Sequence, residues 1–238
     1  MAIKFTTTKK GGEFVKVLIY GQSGVGKTTL AATAPNPIII SSEKKLISLK
    51  DFNIPVILIE DHKDLKEAYE LVSGSKGKKF DTVVVDSVSD IAETILAYFK
   101  ENPVDGNTHP KAAYGHMADH LGPLIKKFRD IPGKHNYTIA KSKMIEDQYT
   151  NVSMFSPSLP GKVLPGNISY EFDYVFAMRI GETESGKKFR YLQTQPDIQW
   201  MAKGVESLNA IEKPDLTNIF NKILGKVEKP EKEADTKE

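Results

Sequence analysis

Gly21-Gln22-Ser23-Gly24-Val25-Gly26-Lys27-Thr28 is the stretch on which the fold turns. It follows the apolar run Phe14-Val15-Lys16-Val17-Leu18-Ile19-Tyr20 and leads into Thr29-Leu30-Ala31-Ala32, so a strand, a glycine-rich loop and a helix are expected in that order. The octapeptide satisfies G-x-x-x-x-G-K-[ST] at every fixed position, in the strand–loop–helix setting that the pattern needs. Glycines at 21, 24 and 26 let the backbone curl so that its N–H groups turn inward. The start of the following helix adds its positive end, and a polyphosphate is then held largely by main chain. Lys27 is expected to reach the β- and γ-phosphates and the Thr28 hydroxyl to ligate magnesium. Residues 21–28, with Thr29, are predicted to bind a nucleoside triphosphate.

The rest of the chain is consistent with that reading. Its 238 residues are enough for one full α/β core, and 39% hydrophobic and 27% charged residues are ordinary for a globular protein. The absence of cysteine excludes disulfides and thiolate metal sites and fits a cytoplasmic setting. No signal-peptide core opens the sequence and no apolar run reaches membrane-spanning length, so no membrane association is expected. A formal net charge of +2 neither demands nor excludes a nucleic-acid partner.

Residues 1–13 read as a flexible lead-in, 14–224 as the folded domain and 225–238 as a charged tail unable to build a core. Within the domain, the apolar strands Ile38-Ile39-Ile40 and Val56-Ile57-Leu58-Ile59 alternate with helices expected over 63–73, 88–100 and 114–129. Strands apolar throughout, separated by helices, predict a mainly parallel sheet covered on both faces. Thr82-Val83-Val84-Val85-Asp86-Ser87 is a β-branched run ending in an acid, which places Asp86 across from Thr28 as a second magnesium residue. A strand over 136–140, a long loop over 144–170, an antiparallel hairpin over 174–193 and a last helix over 215–224 complete the expected order. Trp200 is read as packing. His116 and His120 stand one helical turn apart, but no third ligand is placed to make them a zinc site.

These motifs resemble a core-only RecA-type P-loop ATPase, in particular the phage nucleotide-binding proteins of the Sak single-strand-annealing group. Besides the P-loop and the strand ending at Asp86, the resemblance rests on Tyr114-Gly115-His116-Met117, Phe128-Arg129-Asp130-Ile131-Pro132-Gly133, Ser158-Leu159-Pro160-Gly161-Lys162 and Leu192-Gln193-Thr194-Gln195-Pro196. It covers residues 14–203. It implies ATP and Mg2+ as ligands, ATP hydrolysis, and Glu43 after the second strand as the acid that activates water, with Glu60 as its rival. It also implies single-stranded DNA as partner, bound by a loop offering Lys141, Lys143, Tyr149, Phe155 and Lys162, because cations neutralise phosphates and rings stack on bases. Assembly into a homo-oligomeric ring or filament, in the host cytoplasm if the chain is phage-encoded, follows from the same resemblance.

The chain departs from that pattern at two places. Lys141 and Ser142 stand where RecA-like proteins carry a glutamine or asparagine sensor. Lys187, Lys188 and Arg190 lie on the terminal hairpin, which in filaments presents cations to a neighbour's ATP, but none sits at a spacing that assigns this role. Two other classes remain open: a nucleotide-dependent switch or loader acting on a protein partner, and a small-molecule kinase. A kinase lid needs paired arginines, and the chain has only Arg129, Arg179 and Arg190.

Overall fold

The computed structural model describes residues 7, 12–44, 46–146, 153–162, 164 and 167–227. Most of the lead-in, Lys45, Tyr149 and the tail beyond Val227 therefore lie outside the described residues. The strands are β1 (Lys16–Gly21), β2 (Pro37–Ser41), β3 (Val56–Leu58), β4 (Thr82–Asp86), β5 (His135–Glu146), β6 (Ser153–Ser158), β7 (Tyr174–Glu182), β8 (Lys188–Gln193) and β9 (Ile211–Glu212). The helices are α1 (Lys27–Leu30), α2 (Asp64–Ser73), α3 (Val88–Glu101), α4 (Pro110–Arg129) and α5 (Leu216–Ile223).

Across the sheet the order is β3-β2-β4-β5-β1-β7-β8-β9, with β6 paired to the outer part of β5. From β3 to β7 every neighbouring pair is parallel, while β7–β8, β8–β9 and β5–β6 are antiparallel. The expected mainly parallel sheet with a C-terminal antiparallel hairpin is thus the one observed. Alternation along the strands divides the apolar side chains between two faces. Leu18, Ile40, Val83, Val85 and Ala177 pack under α2, α3 and α4, whereas Val17, Ile19, Ile39, Val84 and Phe176 pack under α1 and α5. No helix among the described residues is long and apolar enough to cross a membrane.

Four expectations need correction. The P-loop helix is short: four α residues followed by a 3-10 turn at Ala31–Thr33, ahead of Pro35 and Pro37. α4 begins at Pro110 rather than at 114, because proline suits the first helical position and His109 caps it, accepting from the Lys111 N–H at 3.2 Å. β3 is an edge strand, so Val56 and Leu58 stay exposed although the run is apolar. The stretch from 144 is not all loop, since β5 continues to Glu146 and pairs with β6, Lys141 opposite Ser158 and Glu146 opposite Ser153. This two-stranded ribbon leaves the same edge of the sheet as the P-loop. Pro157 is tolerated in it because β6 is an edge.

Candidate nucleotide-binding site

Parallel strands bring their carboxyl ends to one edge, and ligands collect there in open α/β sheets. Register does the placing. Gly21 pairs with Lys141 across β1–β5, and Ser41 pairs with Asp86 across β2–β4. Gly21, Asp86 and the residues just beyond Ser41 therefore surround one opening, a cavity of about 690 Å3. Gln22, Ser23, Gly24, Gly26, Lys27, Thr28 and Thr29 line it together with Glu43, Ser48, Asp86, Ser87, Asp90, Ile139, Lys141, Ser142 and Arg190.

The loop is built from its neighbours. A side chain at Gly21 would meet the Met178 carbonyl oxygen at 2.5 Å, so the close passage of β7 requires glycine there. Gly26 has φ of +103°, a left-handed backbone that glycine alone adopts without strain. Val25 turns its side chain inward into the core, away from the cavity lining. Tyr137, fully buried on β5, donates from its hydroxyl to the Lys27 carbonyl at 2.8 Å and fixes the first turn of α1 against the sheet.

Charges of both signs meet in the cavity. The Lys27 ammonium donates to the carbonyls of Gly21 and Gln22, each at 2.8 Å, so it is folded back on its own loop. Burial lowers its pKa, against the pull of Asp86, Asp90 and Glu43. Asp86 is 3% exposed, and burial pushes its carboxyl up from 3.8 to about 6, although a hydrogen bond from Thr28 works the other way. Its Oδ2 is buried without a hydrogen-bond partner among the described residues. A buried carboxylate oxygen left bare beside a threonine hydroxyl is the donor set a water-bearing Mg2+ ion takes, so Thr28 and Asp86 fit the expected metal. Glu43 lies at the cavity, with its N–H donating to Ser41 Oγ at 3.0 Å. Glu60, the rival acid, pairs instead with Lys44 at 2.7 Å in solvent.

Of the residues expected to contact DNA, Lys141, Lys143 and Phe155 lie on the β5–β6 ribbon. Lys141 turns back to the cavity wall, 2.6 Å from Asp90 and 3.2 Å from Glu93. Phe155 is stacked on Trp200 with ring centroids 4.2 Å apart, so one of its two faces is already covered. Lys143 is partly exposed and Lys162 exposed, while Tyr149 lies outside the described residues. The His116 and His120 rings pack about Phe99, and no three histidine or carboxylate side chains converge into a metal site among the described residues.

Sequence reasoning missed Ser87 and Asp90. Ser87 caps α3, accepting from the Asp90 N–H at 3.2 Å while its hydroxyl contacts the Asp90 carboxylate. The signal was present as Ser87-x-x-Asp90, a capping box immediately after the strand acid. Arg190, to which the hairpin spacing assigns no role, lies against its own P-loop, where a side chain at Gly26 would meet its Nε at 3.1 Å.

A glycine-rich loop, a lysine, a threonine and a strand-end aspartate around one cavity define a P-loop ATPase-type domain. The sequence agrees: residues 13–204 match the family described as AAA domain, and the chain belongs to that family. No curated protein matches it. Among solved structures it is similar to the flagellar accessory protein FlaH from Methanocaldococcus jannaschii, at 13% identity and a TM-score of 0.49 over 85% of this chain and 87% of that one. It is also similar to an ATPase from the type III secretion system of pathogenic bacteria, at 14% identity and a TM-score of 0.41 over 71% of this chain and 51% of that one.

Proposed function

We propose that the protein binds ATP with Mg2+ at this cavity and hydrolyses it. The observation that carries the reading is the bare, buried Asp86 Oδ2 beside Thr28 at the mouth of the P-loop. Thr28 and, through water, Asp86 would hold the ion, whose charge offsets that of the phosphates. The Lys27 ammonium exchanges the Gly21 and Gln22 carbonyls for β- and γ-phosphate oxygens. Glu43 follows β2, whose last residue is in register with Asp86, and lines the cavity; in this reading it takes the proton of a water attacking the γ-phosphorus. The barrier falls through positioning and electrostatics more than through covalent chemistry.

Single-stranded DNA is a second reading. What supports it is the β5–β6 ribbon beside the cavity, which carries Lys143, with Lys162 following it, neither in an ion pair among the described residues. With Lys141 paired to Asp90 and Glu93 and one face of Phe155 stacked on Trp200, contact would come chiefly from the remainder of the ribbon. ATP-driven assembly on a strand belongs to the same reading.

The test is ATP turnover of wild type and Lys27→Ala, each with and without single-stranded DNA. Mg2+-dependent turnover lost in Lys27→Ala supports the ATPase reading, and its absence in wild type refutes it. Turnover raised by DNA, together with ATP-dependent DNA binding, supports the recombination reading. Turnover indifferent to DNA, with no ATP-dependent DNA binding, ends that reading and leaves a nucleotide switch acting on a protein partner or a small-molecule kinase.

A further inference from the structure

The nucleotide has two ends, and the sheet order says which way it lies. The γ-phosphate and metal end is marked by Asp86 on β4 and by Glu43 beyond β2, both on one side of β1. On the other side of β1 the site continues beside β7 and β8. A second cavity of about 190 Å3 opens there. It shares Gly26, Thr29 and Arg190 with the phosphate cavity, so the two are contiguous.

Its walls decide what it can recognise. Leu30, Met178 and Pro214 supply apolar surface. Thr33 offers a hydroxyl that is already used, donating to the Leu30 carbonyl at 2.8 Å and accepting from the Leu216 N–H at 2.9 Å. Thr29 stands at the junction with the phosphate cavity. Arg190 is the remaining polar side chain, and it rests against Gly26 at that junction rather than deep in the cleft. It also differs from the other two arginines. Arg129 is held by Asp130 and Glu171, and Arg179 by Gln193 and Asp197, whereas Arg190 makes no hydrogen bond or ion pair among the described residues. An unpaired guanidinium with five donors is suited to phosphate oxygens.

We propose that the cleft between α1 and the β7–β8 hairpin seats the nucleoside without reading its base, and that Arg190 clamps the α/β-phosphates of the molecule's own nucleotide. This rests on the nucleotide reading of the P-loop and extends it from ATP to nucleoside triphosphates as a class. Base discrimination needs a polar group in the site that goes unpaired with the wrong base; among the described residues the polar side chains lining the cleft are Thr33, whose hydroxyl is engaged, and Thr29 and Arg190, both at the phosphate end. Arg190 thereby acts within its own molecule.

The experiment is equilibrium titration of the full chain with ATP, GTP, CTP and UTP in the presence of Mg2+, for wild type, Arg190→Ala, Arg190→Lys and Lys27→Ala. The expected result is affinities for the four within about fivefold of one another in wild type. Arg190→Ala is expected to weaken all four, and ADP, by about tenfold or more, in line with loss of a charge-assisted contact, with partial recovery in Arg190→Lys. A preference above about thirtyfold for one base overturns the base-indifferent cleft, and unchanged affinities in Arg190→Ala overturn the clamp. If wild type binds none of the four, the nucleotide reading itself falls, an outcome distinct from either. Thermal melting of the free proteins separates a folding defect in Arg190→Ala from a binding one.

Discussion

Asp86→Asn is expected to stabilise the free protein while disabling it. In the fold the carboxyl titrates at about 6 instead of 3.8, chiefly because burial disfavours its charge. The folded state holds the proton more tightly than the unfolded chain does, so stability falls as pH rises from 3.8 to 6 and the full cost persists above 6. Keeping Asp86 ionised at pH 7.5 then costs about 3 kcal/mol. Asparagine keeps the shape and removes the charge, but its amide must itself find partners beside Glu43, so a gain of about 1–2 kcal/mol is expected. For a chain of this length that raises the melting temperature by roughly 3–6 °C. The gap should narrow below pH 6 and close near pH 4. Saturating Mg-ATP, at about a hundred times its dissociation constant, adds about 2.7 kcal/mol to wild type and far less to the variant, which reverses their order. Differential scanning calorimetry at pH 7.5 and 5, with and without Mg-ATP, reads all three effects. A variant that melts below wild type at pH 7.5 without nucleotide, or a gap that does not change with pH, would refute the reasoning.

Three other perturbations test separate parts of the structure. Glu43→Gln should lower turnover by about a hundredfold or more while leaving ATP affinity within a few fold, because a proton acceptor is lost and no phosphate contact is; single-turnover kinetics beside equilibrium titration separates the two. His135 accepts from the Val15 N–H at 3.0 Å and stacks on Phe220, and burial lowers its pKa from 6.5 to about 4. The unfolded chain binds that proton first, so stability should rise by up to about 3 kcal/mol between pH 4 and 6.5. In wild type the titration of Asp86 has the opposite slope over much of this range, so the rise is to be measured in Asp86→Asn by denaturant titration, and His135→Gln should flatten it. Gly77→Ala places a Cβ 2.0 Å from the Val72 carbonyl oxygen at the end of α2. With backbone on both sides unable to yield, a loss of about 2–3 kcal/mol is expected, read as a lower melting temperature.

Much of this fold is written in short local patterns. The apolar runs of β1, β2 and β4 carry their own signal because each is buried on both faces, and the P-loop is legible because its glycines and Lys27 must occur at fixed offsets. The outer part of β5 and β6 was not legible, since a ribbon beyond the sheet has no buried face to impose alternation: Met144 and Ile145 stay exposed. The DNA assignment of Lys141 and Phe155 rests on the resemblance and on residue type, neither of which carries their tertiary contacts. Neither the Lys141 contact with Asp90, 51 residues earlier, nor the Phe155 stack on Trp200 leaves a local trace. Arg190 shows the same limit. Its place at Gly26 is set by β7 lying between β1 and β8, a fact of topology rather than of spacing.

The cost of burying these charges and the capacity of the cavity to bind have one origin. Burial lowers the pKa of Lys27 and raises that of Asp86, so each group is pushed towards its neutral form by the same desolvation. Neither relieves the other fully, because Lys27 spends its protons on the Gly21 and Gln22 carbonyls and Asp86 keeps one oxygen bare. A ligand with anionic phosphates at one point and a divalent cation at the next satisfies both at once. The free energy that burial withholds from the unliganded fold is then returned on binding. Neutralising Asp86 should therefore raise the stability of the free chain and lower its affinity for Mg-ATP together.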